Sequence, residues 1–449
     1  MSPADDLRIQ DNSAVWHPFT AMSAYREEQA PIIVEADGFH LIDADGKRYL
    51  DGHSSLWCNI HGHRVPTIDA AIRAQLDRVA HSTLLGLSNV PSIELATELI
   101  RRTPAGLNKV FFADCGAAGV EVALKIAYQY YQQRPDGDDR HDKFIYFDGA
   151  YHGDTIGTMS IGAISRFKSV YSPLLFPAVW TSLPIASPGA PDLERQQLDH
   201  WSAELERLLV LHRGSIAGVV IEPLVQAAAG IKVQAAGFLK RVRDLTRKHD
   251  VLLIADEIAV GFGRTGTLFA CDQESVSPDI LILSKGLTGG YLPLAATLVT
   301  DEIYDAFLGD PWSGRTFYHG HTYTGNPLAC AAALASLRLL DEHNVLENVR
   351  QLDAVLRREL QPLQDNPRVK EIRQQGTMVG IEVSDNGKPF SLEHRVGHRI
   401  TLACRQRGVV LRNIADVLVL MPAPAMPERY VVELCQGVRE AIAEVLKQG

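Results

Sequence analysis

Two residues in this chain have the types and the spacing to work as a pair. Lys285 follows the apolar run Ile280-Leu281-Ile282-Leu283, and Asp256 ends an earlier one, Val251–Ala255. An amine behind one buried strand and a carboxylate behind another is what pyridoxal 5'-phosphate (PLP) chemistry requires. The amine binds the cofactor covalently, and the carboxylate keeps its pyridine nitrogen protonated, so that the ring can accept electrons from a substrate carbon. One strand–helix–strand interval separates the two, which puts both at the carboxyl edge of a parallel sheet, where open α/β sheets bind ligands. Taken singly, each has a plainer reading. Strand-end carboxylates cap helices, and a lysine there is a surface group.

Three further motifs bear on the same chemistry. Asp114-Cys115-Gly116-Ala117-Ala118-Gly119 stands before a helix beginning near Val120. Small residues there let backbone N–H groups approach a phosphate, although a tight turn without ligand has the same composition. Tyr151-His152-Gly153-Asp154 offers an aromatic that can stack on a planar cofactor and a carboxylate that can order polar groups around it, or simply packs. Gly320-His321-Thr322-Tyr323-Thr324-Gly325-Asn326-Pro327 suits a phosphate contact or a domain-connecting loop, with Pro327 placed to start a helix. Cys58, His61 and His63 could ligate zinc, but no fourth ligand is near, so the reading is no metal and a loop lining the substrate pocket.

These residues need a sheet to position them, and the chain supplies one. Between about Lys109 and Thr300, short apolar runs alternate with amphipathic stretches such as Val120-Ala123-Leu124-Ala127. That alternation predicts a mostly parallel sheet covered by helices on both faces. The C-terminal third reads as a smaller α+β unit, with a strand over Met378–Val383, a helix over Arg395–Arg407, a strand over Val417–Met421 and a closing helix over Glu428–Lys447. Near the start, a hairpin is expected from Phe39–Ile42 and Arg48–Leu50 around Asp45-Gly46, packing with that unit. The expected division is 1–70 and 326–449 for the small domain and 71–325 for the large one. A net charge of -10 argues against nucleic acid or an anionic membrane as partner. No basic-then-apolar leader stands over Met1-Ser2-Pro3-Ala4-Asp5-Asp6, no run suffices to span a bilayer, and six scattered cysteines fit a cytoplasmic setting.

Together the motifs resemble class III aminotransferases of PLP fold type I. The most specific stretch is Leu253-Ile254-Ala255-Asp256-Glu257-Ile258-Ala259-Val260-Gly261-Phe262-Gly263-Arg264-Thr265-Gly266, followed by Ser284-Lys285-Gly286. Within the class, Trp16-His17-Pro18-Phe19-Thr20, Tyr151-His152-Gly153-Asp154-Thr155, Asn326-Pro327-Leu328-Ala329-Cys330-Ala331 and Val410-Leu411-Arg412 are similar to the branch that works in biotin synthesis. The resemblance implies PLP as cofactor and transfer of an amino group to 8-amino-7-oxononanoate from S-adenosylmethionine or lysine. A different ω-amino acid or a diamine is the alternative substrate. It implies that Lys285 carries the cofactor and shuttles the proton, Asp256 holds the pyridine nitrogen, Tyr151 stacks on the ring, and Gly116 and Ala117 cradle the phosphate. Thr322, with His321, would reach the phosphate bound by the other subunit of a homodimer, Gly320 would contact substrate, and Arg412 would pair with the acceptor's carboxylate.

Four positions depart from the S-adenosylmethionine-using pattern. Phe19 stands for Tyr, Leu56 for the first of two Trp ahead of Trp57, His321 for Pro, and Ala117 for a hydroxyl residue. Phe19 can stack but cannot donate a hydrogen bond, and Leu56 removes an aromatic wall. The variants Ser55-Leu56-Trp57-Cys58-Asn59-Ile60-His61-Gly62-His63 and Gly320-His321-Thr322-Tyr323-Thr324-Gly325 resemble the lysine-using branch. One neutral hydrogen bond fewer in the phosphate cup costs only ~0.5–1.5 kcal/mol, so cofactor binding is expected to survive.

Overall fold

A computed structural model describes residues 3–134, 140–186 and 189–447; Met1 and Ser2, part of the leader reading, lie outside them. Its centre is a seven-stranded sheet built from Leu107–Ala113 (β1), Lys143–Phe147 (β2), Val179–Thr181 (β3), Ile216–Ile221 (β4), Leu252–Asp256 (β5), Ile280–Leu283 (β6) and Ala295–Thr300 (β7). The spatial order is β1-β7-β6-β5-β4-β2-β3. All neighbours from β6 to β3 run parallel, whereas β7 is antiparallel to both β6 and β1. This is the mostly parallel α/β sheet that the alternation of runs predicts.

The central strands are apolar throughout because both of their faces are covered. Ile254, Ile280 and Ile282 pack on one side beneath the helix Gly116–Gln133, with Val120, Ala123 and Ala127. Leu253, Ala255, Leu281 and Leu283 point the other way, into a core with Leu95, Trp201, Phe238 and Ala329 from four further helices. The period of two along β5 and β6 therefore divides a continuous apolar run between two cores.

The smaller unit draws on both ends of the chain. Arg48–Asp51 pairs antiparallel with His40–Asp43, as the hairpin signal predicts, and parallel with Val409–Val410 near the other end. Leu50 shares a core with Leu352, Leu420 and Leu434. A second sheet of Val369–Gln375, Met378–Val383, Val417–Leu420 and Arg412–Ile414 is wholly antiparallel. Several strands escape the sequence patterns, among them β3, Ile33–Asp37 and Val369–Gln375. β3 is three residues long at the sheet edge, and Ile33–Asp37 is largely exposed, so neither carries a periodic apolar signal. Asn326 caps the helix Pro327–Glu342 through Oδ1, which accepts from the N–H groups of Leu328 and Ala329 at 3.0 and 3.1 Å.

Candidate active site

β4, β5 and β6 end side by side, and the residues just past them wall a cavity of about 640 Å³. Asp256 closes β5 and is buried. Its Oδ2 lies 2.7 Å from His152 Nδ1, and its Oδ1 accepts from the Ile258 N–H at 3.0 Å. Burial alone would lower the pKa of His152. The hydrogen bond and charge of Asp256, with the charge of Glu222, outweigh it, so the imidazole is raised. His152 Nε2 is buried with no hydrogen-bond partner among the described residues.

Lys285 follows β6 and Ser284 with a left-handed backbone, φ +47°. Its Nζ sits 4.9 Å from the centre of the Trp57 ring. Enclosed by protein yet open to the cavity, the amine has its pKa lowered by burial; Asp256 and Glu222 oppose that shift. A lysine moved this way supplies more neutral amine near neutral pH than a surface lysine does.

The opposite wall is the start of the helix Gly116–Gln133. No side chain caps it, and Gly116, Ala117 and Gly153 meet there closely. A Cβ on Gly153 would come 2.5 Å from that of Ala117, and one on Gly116 would come 2.8 Å from Ile258 Cδ1. An uncapped helix N-terminus with backbone this accessible is built for an anion. Amine, buried carboxylate and phosphate cup around one cavity fit PLP.

Tyr151 also lines this cavity, its hydroxyl donating to Asp154 Oδ2 at 2.8 Å. Trp57 lines it too, with a buried indole N–H that has no acceptor among the described residues. Phe19, Leu56 and Arg412 stand further out. Phe19 packs edge-on against Phe167 at 5.1 Å and lies 5.6 Å from the Arg412 guanidinium, beside a second cavity of about 550 Å³. A ring contact of 6.0 Å between Phe167 and Tyr151 joins the two cavities. Gly320, His321 and Thr322 are not brought to the first cavity of their own chain. His321 Nδ1 instead lies 2.9 Å from Asp114 Oδ2. Of the Cys58–His63 loop, only Cys58 reaches the cavity lining. His61 Nε2 turns to Ser336 O at 3.0 Å and His63 Nε2 to Asp51 Oδ2 at 3.0 Å.

Sequence reasoning passed over three buried ionic groups. Glu222 follows β4 and accepts from the N–H groups of Tyr151 and Ala227 at 3.1 and 3.2 Å; burial pushes it up to about 7. Its place past a strand end is the signal that singled out Asp256. Glu257 accepts from the N–H groups of Ala270 and Cys271, and burial raises it likewise to about 7. Arg264 is 1 % exposed and contacts no carboxylate among the described residues. It donates to Pro422 O and Asn59 O, both at 2.8 Å, and burial lowers it to about 10.

The Leu56-Trp57 segment has an unusual backbone. Ser54, Ser55, Leu56 and Trp57 have φ of +54, +48, +70 and +70°, and the Trp57 N–H bonds to His53 O and the Cys58 N–H to Ser54 O, at 2.9 and 3.0 Å. This is one turn of left-handed helix made without glycine, a conformation that costs about 1–2 kcal/mol per residue.

Comparison with known proteins agrees with this geometry. The family described as aminotransferase class-III matches residues 22–442. The adenosylmethionine-8-amino-7-oxononanoate aminotransferase of Nitratidesulfovibrio vulgaris (strain Hildenborough) is 53% identical over 447 residues, covering 99% of this chain and 82% of that protein. The crystal structure of the Methanocaldococcus jannaschii enzyme of the same name superposes with a TM-score of 0.93 at 41% identity, covering 98% of this chain and 99% of that one. An (S)-enantioselective omega-transaminase from Thermomicrobium roseum also reaches 0.93, at 33% identity and 99% coverage of both chains, so the backbone alone does not select the substrate. With Lys285, Asp256 and the uncapped start of the helix Gly116–Gln133 converging on one cavity, and with similarity running along its whole length, this chain belongs to the class III aminotransferases, which are PLP-dependent transaminases.

Proposed function

We propose that this transaminase aminates 8-amino-7-oxononanoate to 7,8-diaminononanoate, a step of biotin biosynthesis. The observation that carries the reading is Arg412. Its partly buried guanidinium has no hydrogen-bond or ion-pair partner among the described residues, and it stands beyond Tyr151 and Phe167, beside Phe19. A half-buried, unpaired arginine favours a carboxylate, and this acceptor carries one at the far end of an apolar chain from its ketone. The relatives' names supply the acceptor itself.

When bound, PLP supplies an electron sink for the carbon that gains or loses its proton. Asp256, fixed by His152, would hold the ring nitrogen, and the N–H groups at Gly116 and Ala117 would hold the phosphate. Lys285 Nζ would hold the cofactor at rest. Once free, it would be a base of lowered pKa, placed to take the proton from the donor carbon and return it on the cofactor side of the nitrogen. The same residues acting in reverse would aminate the ketone, in a ping-pong cycle. Tyr151 and Trp57 wall the reacting carbon from water.

We place the active form as a homodimer in the cytoplasm. Leu85 and Tyr323, 71% and 59% exposed, flank the His321 loop with apolar surface that a second subunit would cover. All six cysteines are free, as in a reducing compartment, and no helix among the described residues is long and apolar enough to cross a membrane. The test is a pair of half-reactions followed by the yellow absorbance of the holoenzyme. S-adenosylmethionine or lysine should bleach it, and whichever does so is the donor. Adding 8-amino-7-oxononanoate to the bleached enzyme should restore the colour. Failure to restore it, while another ω-amino ketone succeeds, would remove the acceptor assignment.

A further inference from the structure

The left-handed turn Ser54–Trp57 is held at its first two residues by a buried carboxylate and by contacts from distant parts of the chain. At its start, buried Asp51 accepts from the Ser55 N–H at 3.0 Å and from Ser55 Oγ at 2.7 Å. His63 Nε2 donates to the same carboxylate at 3.0 Å, and His53 Nδ1 stands at 3.2 Å, within ion-pairing distance but off the hydrogen-bond direction. The far side of His63 is fixed too. Asn59 Nδ2 faces His63 Nδ1 at 3.3 Å while Asn59 Oδ1 accepts from the Gly62 N–H at 2.7 Å. That network gives His63 its proton on Nε2, toward Asp51.

The first residue of the turn is also sewn to distant parts of the chain, as is Asn59 just past its end. Ser54 Oγ donates to Met421 O at 2.6 Å, and Arg264 reaches Ser54 Oγ at 3.3 Å and Asn59 O at 2.8 Å. Left to themselves, four L-residues in a row at positive φ would relax to the ordinary right-handed or extended regions. Relaxation would swing Trp57 away from Lys285 Nζ and move Leu56, 45% exposed in this turn, from its present position.

We propose that Asp51, braced by His63, is a positioning residue for amino transfer: together with Arg264 and Met421 on Ser54, it locks Ser54–Trp57 left-handed so that Trp57 lies against Lys285 on the cavity wall. The inference rests on the transaminase reading above for what the cavity does, and on the turn itself for how Asp51 acts.

The experiment compares the full-length protein with Asp51→Asn, which keeps the size of the side chain and removes its charge. Acrylamide quenching of Trp57, isolated as the difference from the matching Trp57→Phe protein, is read before and after cofactor loading. Donor half-reaction kinetics are read on the holoenzyme, with whichever amine bleaches it. Asp51→Asn should make Trp57 more quenchable and raise the apparent KM for the donor about tenfold, with the limiting rate within about twofold. Adding Ser55→Gly should recover part of both changes, because glycine enters the left-handed region without steric cost. If Asp51→Asn does not fold, Ser55→Ala replaces it; it removes only the hydroxyl bond and should move both readouts the same way by less. Unchanged quenching and KM in the folded variant, or no recovery with glycine, would overturn the proposal. The quenching needs no substrate, so a failed acceptor assignment leaves it standing.

Discussion

The carboxyl edge of the seven-stranded sheet and the Ser54–Trp57 turn face the same cavity and are built by opposite means. At the edge, β4, β5 and β6 are regular and wholly buried, and Glu222, Asp256 and Lys285 follow from where those strands stop. The turn has the reverse character: its backbone is unfavourable residue by residue, and it holds only because Asp51, Arg264 and Met421 grip it from elsewhere. On the reading proposed above, the edge supplies the reacting groups and the turn supplies the wall against them. A change at the edge should therefore cost rate, and a change around the turn or the outer pocket should cost substrate binding.

The harshest way to break that contrast is Lys285→Ala. Turnover should fall by about four orders of magnitude or more, since on the proposed mechanism one side chain is both covalent anchor and proton carrier. The cofactor should still bind through Asp256 and the phosphate cup, as judged by absorbance retained after gel filtration. Appreciable turnover by this variant would mean that the edge does not hold the reacting amine. Asp256→Asn comes next, with an expected loss of about 10²–10³ in kcat, because an amide cannot stabilise a protonated ring nitrogen as a carboxylate does. Its donor KM should change far less, and a loss confined to KM would blur the division between edge and wall.

Arg412→Ala tests the outer pocket. Losing a charge-assisted contact of about 1.5–3 kcal/mol should raise the KM for 8-amino-7-oxononanoate about 10–100-fold, measured by steady-state kinetics at saturating donor. The donor half-reaction rate should hold. A large fall in that rate would mean that Arg412 serves the first half of the cycle.

The same contrast explains what the sequence could and could not reveal. Lys285 and Asp256 were legible because strand ends are marked by where apolar runs stop, and a parallel sheet sends those stops to one edge. Glu222 was legible by that rule, directly after Ile216–Ile221, and was passed over because its motif carries no glycine or hydroxyl signature. The uncapped helix at Gly116 was visible as small residues between strand and helix. The left-handed turn was not legible at all. Ser-Ser-Leu-Trp has no residue that favours positive φ, and its geometry is held by the Asp51 carboxylate and by contacts 210 and 367 positions away, from Arg264 and Met421. Local propensity cannot report a conformation that side-chain and tertiary contacts sustain.

The smallest expected effect divides the edge itself. Asp256 and Glu222 are neighbours at the ends of β5 and β4 and both are buried, but Asp256 has the imidazole of His152 at 2.7 Å while Glu222 has only two backbone N–H groups. Burial consequently raises Glu222 from an ordinary 4.5 to about 7. A carboxyl raised in this way binds its proton more tightly folded than unfolded. Its contribution is fully present below pH 4.5 and is lost as pH rises through about 7. Glu222→Gln cannot titrate, so the stability of the native protein relative to this variant should decline between pH 5 and 8, by on the order of 2 kcal/mol. Urea unfolding of the cofactor-free proteins across that range reads the slope; the constant offset from placing an amide against two N–H donors does not enter. A flat difference would mean that Glu222 stays ionised like a solvent-exposed carboxylate.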